Sequence, residues 1–143
     1  MSTFKVFDIA GSGMAAQNTR LNLVASNLAN AETVSSSINQ TYRSRQPVFS
    51  AQLADAMDQA GKGGVQGASG VEVLGVVESQ APLRMEYRPD HPLANADGYI
   101  FRPNVNTVEE MANMLSASQS YQDNVNVFDT AKKLIMQTLQ MGQ

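Results

Sequence analysis

Cysteine is absent from this chain of 143 residues, and its only histidine is His91. The absence of cysteine excludes disulfides, thiolate metal sites and cysteine nucleophiles. A zinc site needs several histidine or cysteine ligands, so His91 alone is interpreted as a loop residue. Because no catalytic or cofactor-binding constellation is found among the other residues, we predict a protein that is not an enzyme and holds neither cofactor nor metal.

Charge is also scarce, since charged residues make up 16% of the chain and the formal net charge is −3. Soluble domains carry about a quarter charged residues, and a nucleic-acid partner normally requires a basic surface. We therefore expect no nucleic-acid partner. No apolar run approaches the ~18 residues of a membrane span, and the N-terminus lacks the pattern of a cleaved secretory signal. We expect no transmembrane segment, and export without signal cleavage if the protein leaves the cytoplasm.

Proline and glycine are missing from residues 105–141, and Gly142 follows as a typical stop signal. Thr107 and Glu110 match the two ends of a capping box. These signals predict one helix over residues 108–141, roughly 50 Å long at 1.5 Å per residue. A compact domain of this size is about 30 Å across, so the helix must project or pack against another long helix.

Apolar residues recur along this helix in alternating steps of three and four, as in the seam of a coiled coil. The predicted seam, in which Ser118 and Lys132 are the weak points, consists of Met111, Met114, Ser118, Tyr121, Val125, Phe128, Lys132, Ile135 and Leu139. A second stripe beside it consists of Val108, Ala112, Leu115, Ala131 and Leu134.

A partner helix is predicted over residues 6–29, where apolar residues stand seven apart: Phe7, Met14, Leu21 and Leu28. The sequence Gly11-Ser12-Gly13 weakens this helix, because each interior glycine costs about 1 kcal/mol relative to alanine. Small residues also let helices approach closely, so the glycines are candidates for helix packing.

The middle of the chain is predicted to be rich in strands and loops. Leu83, Met85 and Tyr87 alternate with charged residues, which is typical of a half-buried strand. The other expected elements are a flexible loop over 61–70, a strand over 71–78, a turn over 79–82 between the two strands, and a turn over 95–98 before a short apolar run.

Long stretches of the two terminal helices are almost free of charge. Only Arg20 is charged between Ile9 and Ala31, and only Asp123 between Met111 and Phe128. A surface helix normally carries charged residues opposite its apolar stripe. Two interpretations remain open: a monomeric hairpin with a neutral surface, or helices that contact several neighbouring copies. The second interpretation, in which the helices contact several copies, implies a polymer.

Seven short segments of the sequence resemble those of flagellar basal-body rod proteins, and most closely those of the proximal rod. They are residues 7–12, 25–31 with the core Asn-Leu-Ala-Asn, 42–43, 78–82, 95–99, 103–106 and 116–121. The similarity runs in order along nearly the whole chain. One departure is the glycine-free stretch after Thr33, which leaves the conformation of residues 33–41 open.

The resemblance implies a mainly α subunit of a helical polymer with a small β-rich middle. Residues 1–32 and 107–143 are expected to pack as an antiparallel, coiled-coil-like hairpin in the inner layer of the rod, and residues 33–106 to form the outer layer. The implied function is a structural subunit of the proximal rod, which transmits torque and surrounds the protein-export channel. The implied location is the basal body in the periplasmic space, reached by the flagellar type III export route.

The implied partners are further copies, the rod subunits FlgB, FlgF, FlgG and FliE-like proteins, and the membrane ring protein FliF. The residues expected at the assembly interface are Phe7, Met14, Leu21, Asn27, Leu28, Asn30, Met111, Met114, Leu115, Tyr121, Val125, Phe128, Ile135 and Leu139. Two rival functions remain: a free-standing helical adaptor that binds one partner helix, and a cell-wall hydrolase that uses Asp97 and Glu86.

Overall fold

The computed structural model of the chain, which describes residues 3–53 and 68–142, has one long helix near each end of the sequence and a small β-rich region between them in chain order. The elements in chain order are α1 (Thr3–Asn30), a 3-10 turn (Ile38–Gln40), β1 (Arg45–Leu53), β2 (Ala68–Glu78), β3 (Arg84–Tyr87), β4 (Tyr99–Arg102) and α2 (Thr107–Met141). The prediction of a mainly α chain with a β-rich middle is confirmed. Among the described residues, no helix combines the length and apolarity needed to cross a bilayer.

The chain divides into two compact units, and each contains part of both helices. The first unit consists of Met1–Thr19, Val48–Gly75 and Ala117–Gln143. The second unit consists of Arg20–Pro47 and Val76–Ser116.

In the first unit, the glycine-containing stretch of α1 lies at the contact with α2. A Cβ atom at Gly13 would lie only 2.9 Å from Nδ2 of Asn124, whereas one at Gly11 would meet nothing within 4 Å. The Phe7 and Phe128 rings make an edge-to-face contact with centroids 4.7 Å apart. Close helix packing therefore explains why residue 13 is a glycine, but it does not explain the glycine at residue 11.

Ser12 joins the same stretch to β2. Its hydroxyl donates to the Ile9 carbonyl (2.9 Å) and accepts from the Val71 N–H (3.1 Å). At Gly70, φ is +148° and a Cβ atom would meet the Ser12 hydroxyl, so this close approach requires glycine. Ser12 thus packs β2 against α1.

The predicted seam of α2 is only partly correct. Met114, Tyr121, Phe128 and Ile135 are half-buried, but Met111 and Leu139 are exposed. The most buried line of α2 instead contains Glu110, Ala117 and Ala131. Ala117 and Ala131 are small enough to permit a closer approach than the larger apolar residues beside them, and Glu110 is held in its buried position by hydrogen bonds from Asn27 and Ser44.

The core of the second unit lies around β4. Ile100, Phe101, Pro103 and Val105 are buried there. β3 and β4 are antiparallel, with Arg84 opposite Arg102 and Tyr87 opposite Tyr99. Ser35 adds a bridge to Phe101 on β4. The stretch 33–41, left open by the sequence, supplies this bridge and the 3-10 turn.

The predicted turn at residues 95–98 is confirmed. The Gly98 N–H donates to the Asn95 carbonyl at 2.9 Å, and Gly98 has a φ of +80°. The Asn95 side chain accepts from the Asp97 and Tyr99 N–H groups. Gly98 also lies where a Cβ atom would be 2.9 Å from the Tyr87 ring, so the turn requires glycine.

Three details of the predicted strands are wrong. β1 was not predicted, and β2 pairs with it rather than with β3, so the connection over 79–82 does not form a hairpin. On β3, Met85 and Tyr87 are both 62% exposed, so the predicted inward face points outward. Of the predicted loop over residues 61–70, residues 61–67 lie outside the described residues. Residues 68–70 belong to β2 instead.

Candidate functional site: a polar junction and the outer helix faces

A buried asparagine on α1 organises the second unit. Asn27 is 1% exposed, and its side-chain oxygen accepts from the Arg45 N–H (2.9 Å) and the Tyr42 hydroxyl (2.8 Å). Its nitrogen donates back to the Arg45 carbonyl at 2.9 Å. The side-chain amide therefore pairs with both backbone groups of Arg45, as a neighbouring strand would.

Glu110 on α2 completes this junction. It is 5% exposed, and its Oε1 accepts from Asn27 Nδ2 at 3.0 Å and from the Ser44 hydroxyl at 3.4 Å. A buried carboxylate requires hydrogen-bond donors, and these come from α1 and from the segment before β1. The junction of Asn27, Ser44, Arg45 and Glu110 therefore ties three separate segments together.

The predicted capping box is consequently wrong. Glu110 points toward Asn27 instead of reaching back to the start of the helix. The Asn106 side chain, not that of Thr107, accepts from the Val108 N–H at 3.2 Å. The same Asn106 oxygen also accepts from the Glu109 N–H at 3.5 Å, as expected of an N-cap residue.

Asn104 connects the same region to the end of β2. Its oxygen accepts from the Ser44 N–H at 2.8 Å, and its nitrogen donates to the carbonyls of Ser79 (3.2 Å) and Ala81 (2.9 Å). The Arg43 guanidinium bonds to the same two carbonyls. Sequence reasoning noted residues 78–82 and 103–106 as motifs but did not find this role, because their partners are distant in sequence.

The outward surface of α1 is poor in charge from Ile9 to Asn30. On α1, the exposed or half-exposed residues Gly11, Ala15, Asn18, Asn22, Ala25 and Ala29 recur in steps of four and three. Arg20, the single charged residue of this stretch, donates to Asn113 on α2 at 3.0 Å and so serves the pairing of the helices. The outer face of α1 is therefore small and uncharged.

α2 exposes large apolar side chains. These are Val108, Met111, Leu115, Val127, Leu134, Met136, Leu139 and Met141. Burying one such side chain contributes about 1.5–3 kcal/mol, so a free α2 leaves considerable stabilisation unused. Five of them were absent from the expected interface (Val108, Val127, Leu134, Met136, Met141), although Val108 and Leu134 belong to the second stripe recognised in the sequence.

The expected interface residues divide into three groups. Met111, Leu115 and Leu139 are exposed. Asn27 is buried, and its hydrogen-bonding groups are used within the chain. The half-buried group consists of Phe7, Met14, Leu21, Leu28, Asn30, Met114, Tyr121, Val125, Phe128 and Ile135.

The residues considered for catalysis have other partners or lie in turns. The Glu86 carboxylate is engaged by Arg88 at 2.7 Å and by Arg102 at 3.2 Å. His91 accepts from the Leu93 N–H at 3.1 Å within its loop. Among the described residues, no group of His, Cys, Asp and Glu side chains could hold a metal ion.

Comparison with known proteins links this architecture to the bacterial flagellum. Residues 7–34 match the family described as flagella basal body rod protein, and residues 96–141 match the C-terminal family of flagellar basal body rod FlgEFG proteins. The chain is 47% identical to flagellar basal-body rod protein FlgC of Salmonella typhimurium and 48% identical to that of Escherichia coli O157:H7. It is 30% identical to that of Bacillus subtilis, and all three comparisons cover the whole of both chains.

Proposed function

The chain belongs to the flagellar basal-body rod protein family and is a structural subunit of that rod, and we propose that it builds the proximal rod through its terminal helices. The family is structural rather than enzymatic, in agreement with the prediction that the chain is not an enzyme. Two observations carry the proposal: α1 from Ile9 to Asn30 has an outer face without an exposed charge, and α2 exposes large apolar side chains.

The pairing of the two helices supports an antiparallel hairpin. In the first unit, Phe7 of α1 contacts Phe128 of α2, and Gly13 of α1 lies against Asn124 of α2. Later residues of α1 therefore contact earlier residues of α2. The second unit repeats this order, since Arg20 bonds to Asn113 and Asn27 to Glu110. Only antiparallel helices make contacts in this order. We infer that residues 1–32 and 107–143 form the inner, coiled-coil-like layer, and residues 33–106 the outer layer.

The outer helix faces are then the surfaces that contact neighbouring subunits. Unpaired charges are costly in such contacts, whereas small, amide and apolar side chains are not. The proposed neighbours are other copies and the rod subunits FlgB, FlgF, FlgG and FliE-like, with FliF at the membrane ring. Met111, Leu115 and Leu139 are available for these contacts in the free chain, and the half-buried expected residues contribute at their exposed edges.

A cylinder of interlocked hairpins would serve two mechanical purposes. Interlocked subunits resist twisting and so transmit torque, and the inner surface surrounds the export channel. A charge-poor channel would let unfolded chains pass without binding them. We propose that the subunit itself follows this route, without signal cleavage, into the periplasmic space.

The outer face of α1 gives a direct test in a host whose own gene for this chain is deleted. The wild-type chain should restore swimming, and Ala15→Glu or Ala25→Glu should abolish it, because each places a charge in a subunit contact. Ala96→Glu, at an exposed position in the turn over 95–98, is the matched control and should swim normally.

Circular dichroism of the purified variants separates failed assembly from failed folding, since both positions are exposed and helix content should be unchanged. Wild-type swimming by both α1 variants would contradict the proposal.

A further inference from the structure

The outer edge of β4, on the side away from β3, is closed by other parts of the second unit. The backbone groups of Phe101 exchange two hydrogen bonds with those of Ser35, at 2.9 and 3.0 Å. The Tyr99 carbonyl accepts from the Asn95 N–H at 2.9 Å, and the Tyr99 N–H donates to the Asn95 side chain at 2.8 Å. The outward backbone groups of β4 are therefore paired.

The outer edge of β3 has no such partners. In an antiparallel pair, successive residues direct their backbone groups alternately toward the partner strand and away from it. The Arg88 N–H donates to the Gly98 carbonyl at 2.8 Å, which places the backbone of Arg88 toward β4. Met85 and Tyr87 alternate with it and direct their N–H and C=O groups outward. Within the described residues β4 is the only strand beside β3, so these outward groups have no backbone partner.

The side chains at this edge are accessible on both faces of the sheet. Met85 and Tyr87 are each 62% exposed on one face. On the other face, Arg88 pairs with Glu86 at 2.7 Å. Arg84 is exposed there, and no carboxylate of the described residues pairs with it. The edge therefore combines unpaired backbone groups, an apolar face and an arginine without an acidic partner.

We propose that this edge of β3 accepts an extended segment of a neighbouring rod subunit as a third strand. An extended backbone offers donors and acceptors at the spacing of the outward groups of Met85 and Tyr87, whereas a helix uses its backbone groups internally. Side chains alternate between the two faces of a strand. The incoming segment thus places apolar side chains beside Met85 and Tyr87 and a carboxylate beside Arg84.

The composition of β3 makes the edge selective. β3 has only four residues, in which apolar and charged side chains alternate, and charges on an edge strand oppose unspecific pairing. A two-fold contact of β3 with β3 of a second copy would stop at a dimer, so the incoming strand is a different segment. This inference rests on the proposed rod assembly and adds to it a contact outside the helices.

Amide hydrogen exchange tests the strand pairing. In the purified chain, the outward N–H groups of Met85 and Tyr87 should exchange faster than that of Glu86, which faces β4. In isolated basal bodies, exchange at Met85 and Tyr87 should slow relative to Glu86 by roughly tenfold or more, because the incoming strand binds these groups.

A proline at an outward position blocks the edge without breaking the bonds to β4. Met85→Pro should lower the amount of the chain in basal bodies roughly fivefold or more, about the effect of one lost hydrogen bond. Met85→Val keeps the N–H and an apolar side chain, and this matched control should assemble like the wild type. Circular dichroism and urea titration of the purified variants verify folding, and Tyr87→Pro replaces Met85→Pro if that variant does not fold.

Photo-cross-linking identifies the incoming segment. Tyr87→p-benzoylphenylalanine keeps an aromatic side chain at the edge, and irradiated basal bodies should yield an adduct with a rod-subunit peptide in which a carboxylate neighbours an apolar residue. Arg84→Glu should reduce the yield of this adduct, and replacement of the partner's carboxylate by arginine should restore it.

Three results would overturn the strand addition: unchanged relative exchange at Met85 and Tyr87, equal assembly of Met85→Pro and Met85→Val, or an adduct with a helix, with a glycan or with β3 of another copy. If any of these is obtained while the wild-type chain is present in basal bodies, only this inference is wrong. If the wild-type chain is absent from basal bodies, the proposed function itself is wrong.

Discussion

At the scale of single residues, asparagine side chains take the place of missing backbone partners. Asn27 pairs with the backbone of Arg45, Asn104 bonds to Ser44 and to the end of β2, and Asn106 caps α2. An asparagine can do this because its side chain carries the same donor and acceptor as a peptide group. These contacts fix loops that contain little regular structure.

Asn27→Ala tests the junction most directly. The change removes the side-chain bonds to both peptide groups of Arg45, and it removes one of the two partners of the Tyr42 hydroxyl and of the buried Glu110 carboxylate. We expect the free energy of unfolding of the purified chain to fall by about 3 kcal/mol in urea titrations. Asn39→Ala, which truncates an exposed amide, should change it by less than about 0.5 kcal/mol. Equal effects of the two changes would contradict the junction.

The start of α2 gives a second residue-level prediction, because sequence and structure identify different caps. Asn106→Ala should lower the free energy of unfolding by about 1 kcal/mol, the usual effect of losing an N-cap. Thr107→Ala should have a clearly smaller effect in the same titration. If Thr107→Ala lowered the free energy of unfolding more than Asn106→Ala, the result would support the capping box inferred from the sequence.

The sequence analysis assigned the N-cap of α2 to the wrong residue for a physical reason. Asn106 and Thr107 are both good N-cap residues, and Glu110 stands at the correct spacing from Thr107. What decides between them is Asn27, which binds Glu110 from a position 83 residues earlier in the chain. Local spacing does not report such a long-range contact.

At the scale of elements, both helices were predicted closely because their signals are local. Proline is absent from both, and apolar residues recur at helical spacing along each. The face that α2 buries was harder to predict, because close approach at Ala117 and Ala131 depends on the facing helix. β1 was missed because it contains Pro47 and lacks clear alternation, and β3 was assigned the wrong inward face because its partner β4 was not recognised.

The two glycines of α1 are predicted to respond oppositely to substitution. Gly11→Ala should raise the free energy of unfolding by about 0.5–1 kcal/mol, because alanine favours helix and open space surrounds the position. Gly13→Leu should lower it by about 1–3 kcal/mol, because the side chain would collide with Asn124. Thermal unfolding of the purified variants measures both. A Gly13→Leu variant as stable as Gly11→Ala would contradict the helix contact.

At the scale of the whole molecule, the sequence indicated a polymer subunit through the scarcity of charge on its terminal helices. The described structure strengthens this interpretation in two ways. Arg20 is occupied between the helices rather than on the outer face, and α2 exposes large apolar side chains. The exposed apolar residues of α2 did not follow from the sequence alone, since they depend on which side chains remain accessible once the helices have paired.

The most direct test of the account is the density of this subunit in purified basal bodies, determined by electron cryomicroscopy. We predict that neighbouring subunits cover the outer face of α1 at Ala15 and Ala25 and that of α2 at Val108, Leu115 and Leu134. Helices whose outer faces border only solvent, with no contact beyond their own pair, would contradict it.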